Sequence, residues 1–248
     1  MNEDYRQLCA RLKENIAAKQ KVGLKPRCVF DIDGTVLNHS KRTQLILIDA
    51  ARIIGDIPEE IVRDIESVDL DNYPYWIDHL LDKIGISDPA IREAFARDWD
   101  DRFFSDQYLW ADDAIADAAA FVKTLFGAGA NITYLTGRHR NGMYNGTRAS
   151  LINNGFPFDD GELGIIMKPL KEYSNAEYKK AAAAKLAGLN DIVAVFDNEP
   201  KELLNIALNI EDVIPVLFES ARSGDFPLDS RFYKIDSYKL LLAHWHTN

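Results

Sequence analysis

Val29-Phe-Asp-Ile-Asp-Gly-Thr-Val-Leu37 is the stretch on which the fold turns. The apolar run that begins at Arg27-Cys-Val-Phe breaks abruptly at two aspartates and a glycine. A strand buried on both faces of a parallel sheet ends at a loop in this way. Asp31 and Asp33 are two residues apart, so in extended backbone their side chains project to the same side. Carboxylates held that close repel unless a cation or a shared proton offsets them. All-oxygen ligands of this kind favour Mg²⁺. Gly34 lets the chain turn sharply beside them. The plain alternative is a turn in which an aspartate caps the segment that follows.

Working outward, similar apolar runs recur at Asn131–Leu135, Asp191–Phe196 and Val213–Phe218, with a weaker one at Leu163–Ile166. Helical patterns lie between them, over Ala111–Phe126, Gly142–Asn154, Ala176–Leu186 and Lys201–Leu208, and an amphipathic segment over residues 3–20 precedes them all. Alternating β and α units predict an α/β fold with a doubly wound parallel sheet, in which ligands bind beyond the carboxyl ends of the strands. About 70 residues separate the first strand from the helix expected at Ala111, far more than an ordinary connection. That gap reads as helices over Thr43–Ile54, Glu59–Val68, Tyr75–Ile84 and Pro89–Phe104, punctuated by Pro58, Pro74, Gly85 and Pro89. The expected organisation is a core of residues 1–40 and 105–248 carrying an inserted α-helical cap at 41–104. The cap aromatics Tyr73, Tyr75, Trp76 and Trp99 are read as its own core rather than as a substrate wall. The tail beyond Glu219 has no clear pattern.

The apolar strand followed by Asp31-x-Asp33-Gly34-Thr35 resembles the first signature of the haloacid dehalogenase superfamily. Later motifs follow in order. Tyr134-Leu-Thr-Gly-Arg138 resembles the second, in which a hydroxyl, here that of Thr136, holds a phosphate oxygen, with Gly137 and Arg138 as candidate substrate contacts. An arginine fork suits a phosphate through paired hydrogen bonds. The third motif is a lysine. Lys179 after Tyr178 is the reading adopted, with Lys180 as its neighbour and Lys168 of Met167-Lys-Pro169 as an alternative phosphate contact. Val195-Phe-Asp-Asn-Glu-Pro200 resembles the fourth, with Asp197 directed to the metal. There Asn198 stands where a second acid is commoner, so it can offer only a neutral oxygen.

The resemblance implies a Rossmann-like core and a Mg²⁺ site built from Asp31, Asp33, Asp197 and Asn198. Asp31 is then the nucleophile that becomes an aspartyl-phosphate, and Asp33 the general acid and base. An acid at the position of Asp33 argues for phosphate esters over halides, because a departing halide needs no proton. Two alternatives stay open: a phosphotransferase or phosphomutase of the same superfamily, and a phospholigand-binding protein without turnover.

The bulk properties agree with a small phosphorylated metabolite as partner. The 248 residues carry a formal net charge of −10, which repels nucleic acid and anionic membrane surfaces. Cys9 and Cys28 lack a CxxC spacing, and the N-terminal residues lack the basic and apolar runs of a signal peptide. With no apolar stretch of membrane-spanning length, a cytoplasmic location is expected.

Overall fold

The computed structural model describes residues 2–54, 57–69 and 76–247. In chain order the elements are α1 (Asn2–Lys21), β1 (Arg27–Phe30), β2 (Leu37–Asn38), α2 (Ser40–Ile54), α3 (Glu59–Ser67), α4 (Ile77–Lys83), α5 (Pro89–Phe103), β3 (Asp113–Ala114) and α6 (Ala118–Gly127). They continue with β4 (Asn131–His139), α7 (Arg140–Asn153), β5 (Ile165–Lys168), α8 (Asn175–Ala187), β6 (Ile192–Asp197), α9 (Pro200–Ala207), β7 (Ile214–Phe218), β8 (Tyr233–Ile235) and α10 (Tyr238–His246). A six-stranded sheet has the order β5-β4-β1-β6-β7-β8, with every neighbouring pair parallel.

Every residue of β1 and β6 is buried, as expected of strands covered on both sides. One face packs against Tyr5, Leu8 and Leu12 of α1, Phe121 of α6, Leu151 of α7 and Tyr238 of α10. The other packs against Ala183 and Leu186 of α8 and Leu203 and Ile206 of α9. Across the first face Phe30 and Phe196 stack with ring centroids 4.4 Å apart. Such a pair adds about 0.5–1.5 kcal/mol beyond its buried area.

The chain runs outward from β1 to β4 and β5, then returns to β6 on the other side of β1 before reaching β7 and β8. The reversal lies between β1 and β6, and a crevice opens at their carboxyl ends. Helices α2–α5 form the insertion, with an apolar cluster of their own that includes Leu47, Ile65, Leu80, Leu81 and Phe95. Pro89 in the first turn of α5 and Asp88 as its N-cap begin that last helix, the Asp88 carboxylate accepting from the amides of Ala90 and Ile91.

Several elements depart from expectation. Residues 112–117 are not helical: a 3₁₀ turn ends at Ala111, β3 pairs with β2, and Asp117 adopts a left-handed φ of 62° before α6 begins. The alanine composition of this stretch was read as helix, but its backbone is spent on pairing with the loop after Asp33. The unreadable tail supplies a sixth strand and a closing helix. β8 has only three residues, too short for periodicity to show.

Candidate active site

The crevice gathers the acids. The Asp31 amide donates to the Phe196 carbonyl at 2.8 Å, which fixes the residue after β1 against β6. Gly34 has φ of +78°, and a Cβ there would lie 2.5 Å from Asn198 Nδ2, so only glycine permits both this turn and this approach. The Thr35 hydroxyl then donates to Asp31 Oδ2 at 3.2 Å.

Lys179, in the second turn of α8, donates to Asp31 Oδ1 at 2.9 Å and to Asp197 Oδ2 at 2.8 Å, and also pairs with Glu202 of α9. All but Glu202 among these four side chains are less than a tenth exposed. Burial pushes the Asp31 carboxyl up to about 6 against the opposing pull of Lys179, and pushes Asp197 well above the usual range. Burial also opposes the lysine's charge, but Asp197, Asp31 and Glu202 outweigh it and raise Lys179. One ammonium among three carboxylates leaves the group short of positive charge.

Lys168, by contrast, donates to the carbonyls of Lys171 and Tyr173 and lines no part of the cleft. β5 lies two strands away from β1, and the Lys168 side chain is spent on its own loop rather than turned to the acids.

Asp33 and Arg138 also differ from expectation. Arg138 donates from Nε to Asp33 Oδ2 at 2.8 Å and from Nη2 to Asp33 Oδ1 at 2.7 Å and Asp112 Oδ2 at 2.6 Å. Arg42 of α2 adds 3.0 Å to Asp33 Oδ1 and 3.1 Å to Asp112 Oδ1. The arginines and Asp112 are essentially fully buried. Two guanidiniums thus share both oxygens of Asp33 and neutralise its carboxylate, whereas the acids around Lys179 have one ammonium among three. Although burial opposes the charge, Arg138 and Arg42 hold Asp33 far below the usual carboxylate range. For the same reason Arg138 is not free to grip a phosphate.

Thr136 is fully buried in β4, its Oγ1 accepting the Arg138 amide at 3.2 Å, while Gly137 lines the cleft wall. Asn198 presents Oδ1 to the Thr35 hydroxyl at 3.4 Å and donates from Nδ2 to the Ala221 carbonyl. His139 is turned away to the Phe104 carbonyl, whereas His39 borders the cleft with its ring edge on Phe103.

The cleft itself has a volume of about 340 Å³. Its roof includes Trp76, Trp99, Phe103 and Phe104. Trp76 is half exposed and its Nε1 donates to the Ser223 carbonyl, so it is not part of the insertion's core. Trp99 serves both, packing on that core and facing the cleft. Tyr73 and Tyr75 lie outside the described residues. Sequence reasoning missed Arg42, Asp112 and Glu202. Glu202 had a signal, standing five residues after Asp197 on a helix beside the crevice.

The donor chemistry fits a hard divalent ion. Asp31 and Asp197 are buried, undercompensated carboxylates, and Asn198 Oδ1 has only one long contact. Mg²⁺ takes one or two carboxylates and retains waters. Among the described residues, no group of three or more His, Cys, Asp or Glu side chains is arranged to hold a metal alone.

No family model and no curated protein matches the chain. Solved structures do. A subfamily IA hydrolase of the haloacid dehalogenase superfamily from Geobacter sulfurreducens aligns with a TM-score of 0.53 and 12% identity over 89% of this chain and 97% of that one. A predicted phosphoglycolate phosphatase from Haemophilus somnus aligns with a TM-score of 0.52 and 12% identity over 88% and 96%. The chain has the fold of the haloacid dehalogenase superfamily.

Proposed function

We propose that the protein is a Mg²⁺-dependent phosphatase that hydrolyses a small phosphate monoester through an aspartyl-phosphate on Asp31. The observation that carries this reading is Lys179, bridging the buried carboxylates of Asp31 and Asp197 at the mouth of the β1–β6 crevice. A cation shared by two acids from separate strands has little structural economy, since a buried ion cluster is at best neutral for stability. It suits a site that receives a phosphate.

In this reading Asp31 attacks phosphorus, the ester oxygen leaves as the alcohol, and water then cleaves the acyl phosphate. Splitting the displacement in two lowers each barrier. Lys179 faces the charge that develops on the phosphoryl oxygens, and Thr136, one strand over from Asp31, holds another of them. Asp31 and Asp197, with the Asn198 oxygen, would hold Mg²⁺, which would supply further charge neutralisation at those oxygens. Asp33 is assigned the proton transfers of both displacements, and because Arg138 and Arg42 hold its carboxylate ionised, one of those contacts has to loosen before it can carry a proton. Residues 41–104 act as a cap over the core formed by 1–40 and 105–248, excluding bulk water from the acyl phosphate.

The test is hydrolysis of p-nitrophenyl phosphate by the full chain with and without Mg²⁺, and by Asp31→Asn. Turnover should require the metal and vanish in the variant. Activity that survives Asp31→Asn overturns the proposal.

A further inference from the structure

Resting on the phosphatase reading, we infer that the alcohol portion of the substrate is a flat, aromatic group that carries no second anionic charge. The cleft is charged one way. Asp31, Asp33, Asp100, Glu199 and Glu202 line it, against Arg138 and Lys179 among the described residues. Neither cation is available to a second anion. Lys179 is shared among three carboxylates, and Arg138 is saturated by Asp33 and Asp112.

The cations just behind the wall are engaged as well. Lys171 pairs with Asp100 at 2.6 Å and also sits over the Phe104 ring, and buried Arg42 pairs with Asp33 and Asp112. Residues 70–75 contribute no Lys or Arg in sequence. A carboxylate or second phosphate on the leaving group would therefore find the lining cations already committed and carboxylates in excess around it, which is how a site rejects a ligand.

The opposite wall supplies the attraction. Trp76 and Trp99 come from separate parts of the insertion, and each is anchored. Trp76 is tethered to the Ser223 carbonyl at 3.2 Å, and Trp99 is stacked on Phe103 at 4.4 Å. Phe103 is backed in turn by the Arg42 guanidinium at 3.9 Å from its centroid. Rings held this way lose little freedom when a flat group lies against them. Their faces carry negative quadrupole density that favours neutral or cationic partners over anions.

The experiment compares kcat/KM of the full chain with Mg²⁺ on benzyl, 4-(aminomethyl)benzyl, 4-carboxybenzyl and ethyl phosphate, whose reacting centres are alike. Benzyl and aminomethylbenzyl phosphate should exceed the carboxybenzyl ester by about tenfold or more, the scale of a like-charge penalty. Trp76→Ala should lower the benzyl-to-ethyl ratio. Equal or faster turnover of the carboxybenzyl ester, or a benzyl-to-ethyl ratio unmoved by Trp76→Ala, overturns this inference and leaves the phosphatase reading standing. No hydrolysis of any of these esters or of p-nitrophenyl phosphate overturns both.

Discussion

Lys179 concentrates the chemistry of the site at a single atom. Its Nζ touches acids from β1, β6 and α9, so replacing it removes charge opposite the phosphoryl oxygens and releases three carboxylates to repel one another. Lys179→Met is expected to lower kcat by about 10²–10³-fold, the usual effect of removing one electrostatic contact to a transition state. Steady-state kinetics on p-nitrophenyl phosphate check this, and a loss smaller than about threefold would place the lysine outside the reaction. Lys168→Met should leave kcat nearly unchanged, because its ammonium is bound to the carbonyls of Lys171 and Tyr173. At this scale the sequence was legible where motif order narrowed the choice, as for Asp31 and Asp197. It preferred Lys179 to Lys168 only through the tyrosine that precedes it, and the position of α8 and the strand order show which lysine lies beside Asp31.

The insertion is the element that joins site and fold. Through Arg42, helix α2 places a guanidinium on Asp33 and Asp112, while α4 and α5 contribute the indoles of the roof. Helix α5, which carries Trp99, starts at Pro89, and Asp88 secures that start by accepting two orphan amides. Asp88→Ala is therefore expected to destabilise the protein by about 1 kcal/mol, read as a lower midpoint in urea unfolding at unchanged slope. The four helices of the insertion were readable from apolar spacing and proline punctuation. The stretch 112–117 was not, since alanine favours a helix only when no competing partner claims the backbone, and β2 claims it here.

For the molecule as a whole, the shortage of positive charge around Asp31 and Asp197 links metal binding to stability. An ion that binds the folded chain alone adds about 2.7 kcal/mol at a concentration a hundred times its dissociation constant. Mg²⁺ should accordingly raise Tm in a scanning calorimeter, EDTA should reverse the rise, and Asp197→Asn should abolish most of it. An unchanged Tm with wild-type protein at 10 mM Mg²⁺, roughly the upper range for weak oxygen-ligand sites, would argue against the ion. No helix among the described residues is long and apolar enough to cross a membrane.

The sequence by itself determined the parallel α/β core, the helical insertion and the acids that end β1 and β6, because each is written in local periodicity and in short motifs whose chemistry depends on neighbours along the chain. The tertiary structure decided the rest. It joined Arg42, Asp112, Arg138 and Asp33 into one buried cluster across separations of up to 105 residues, and it turned Trp76 from expected core to cleft wall. Pairing between distant side chains is set by how strands order and helices dock, and neither leaves a trace in spacing.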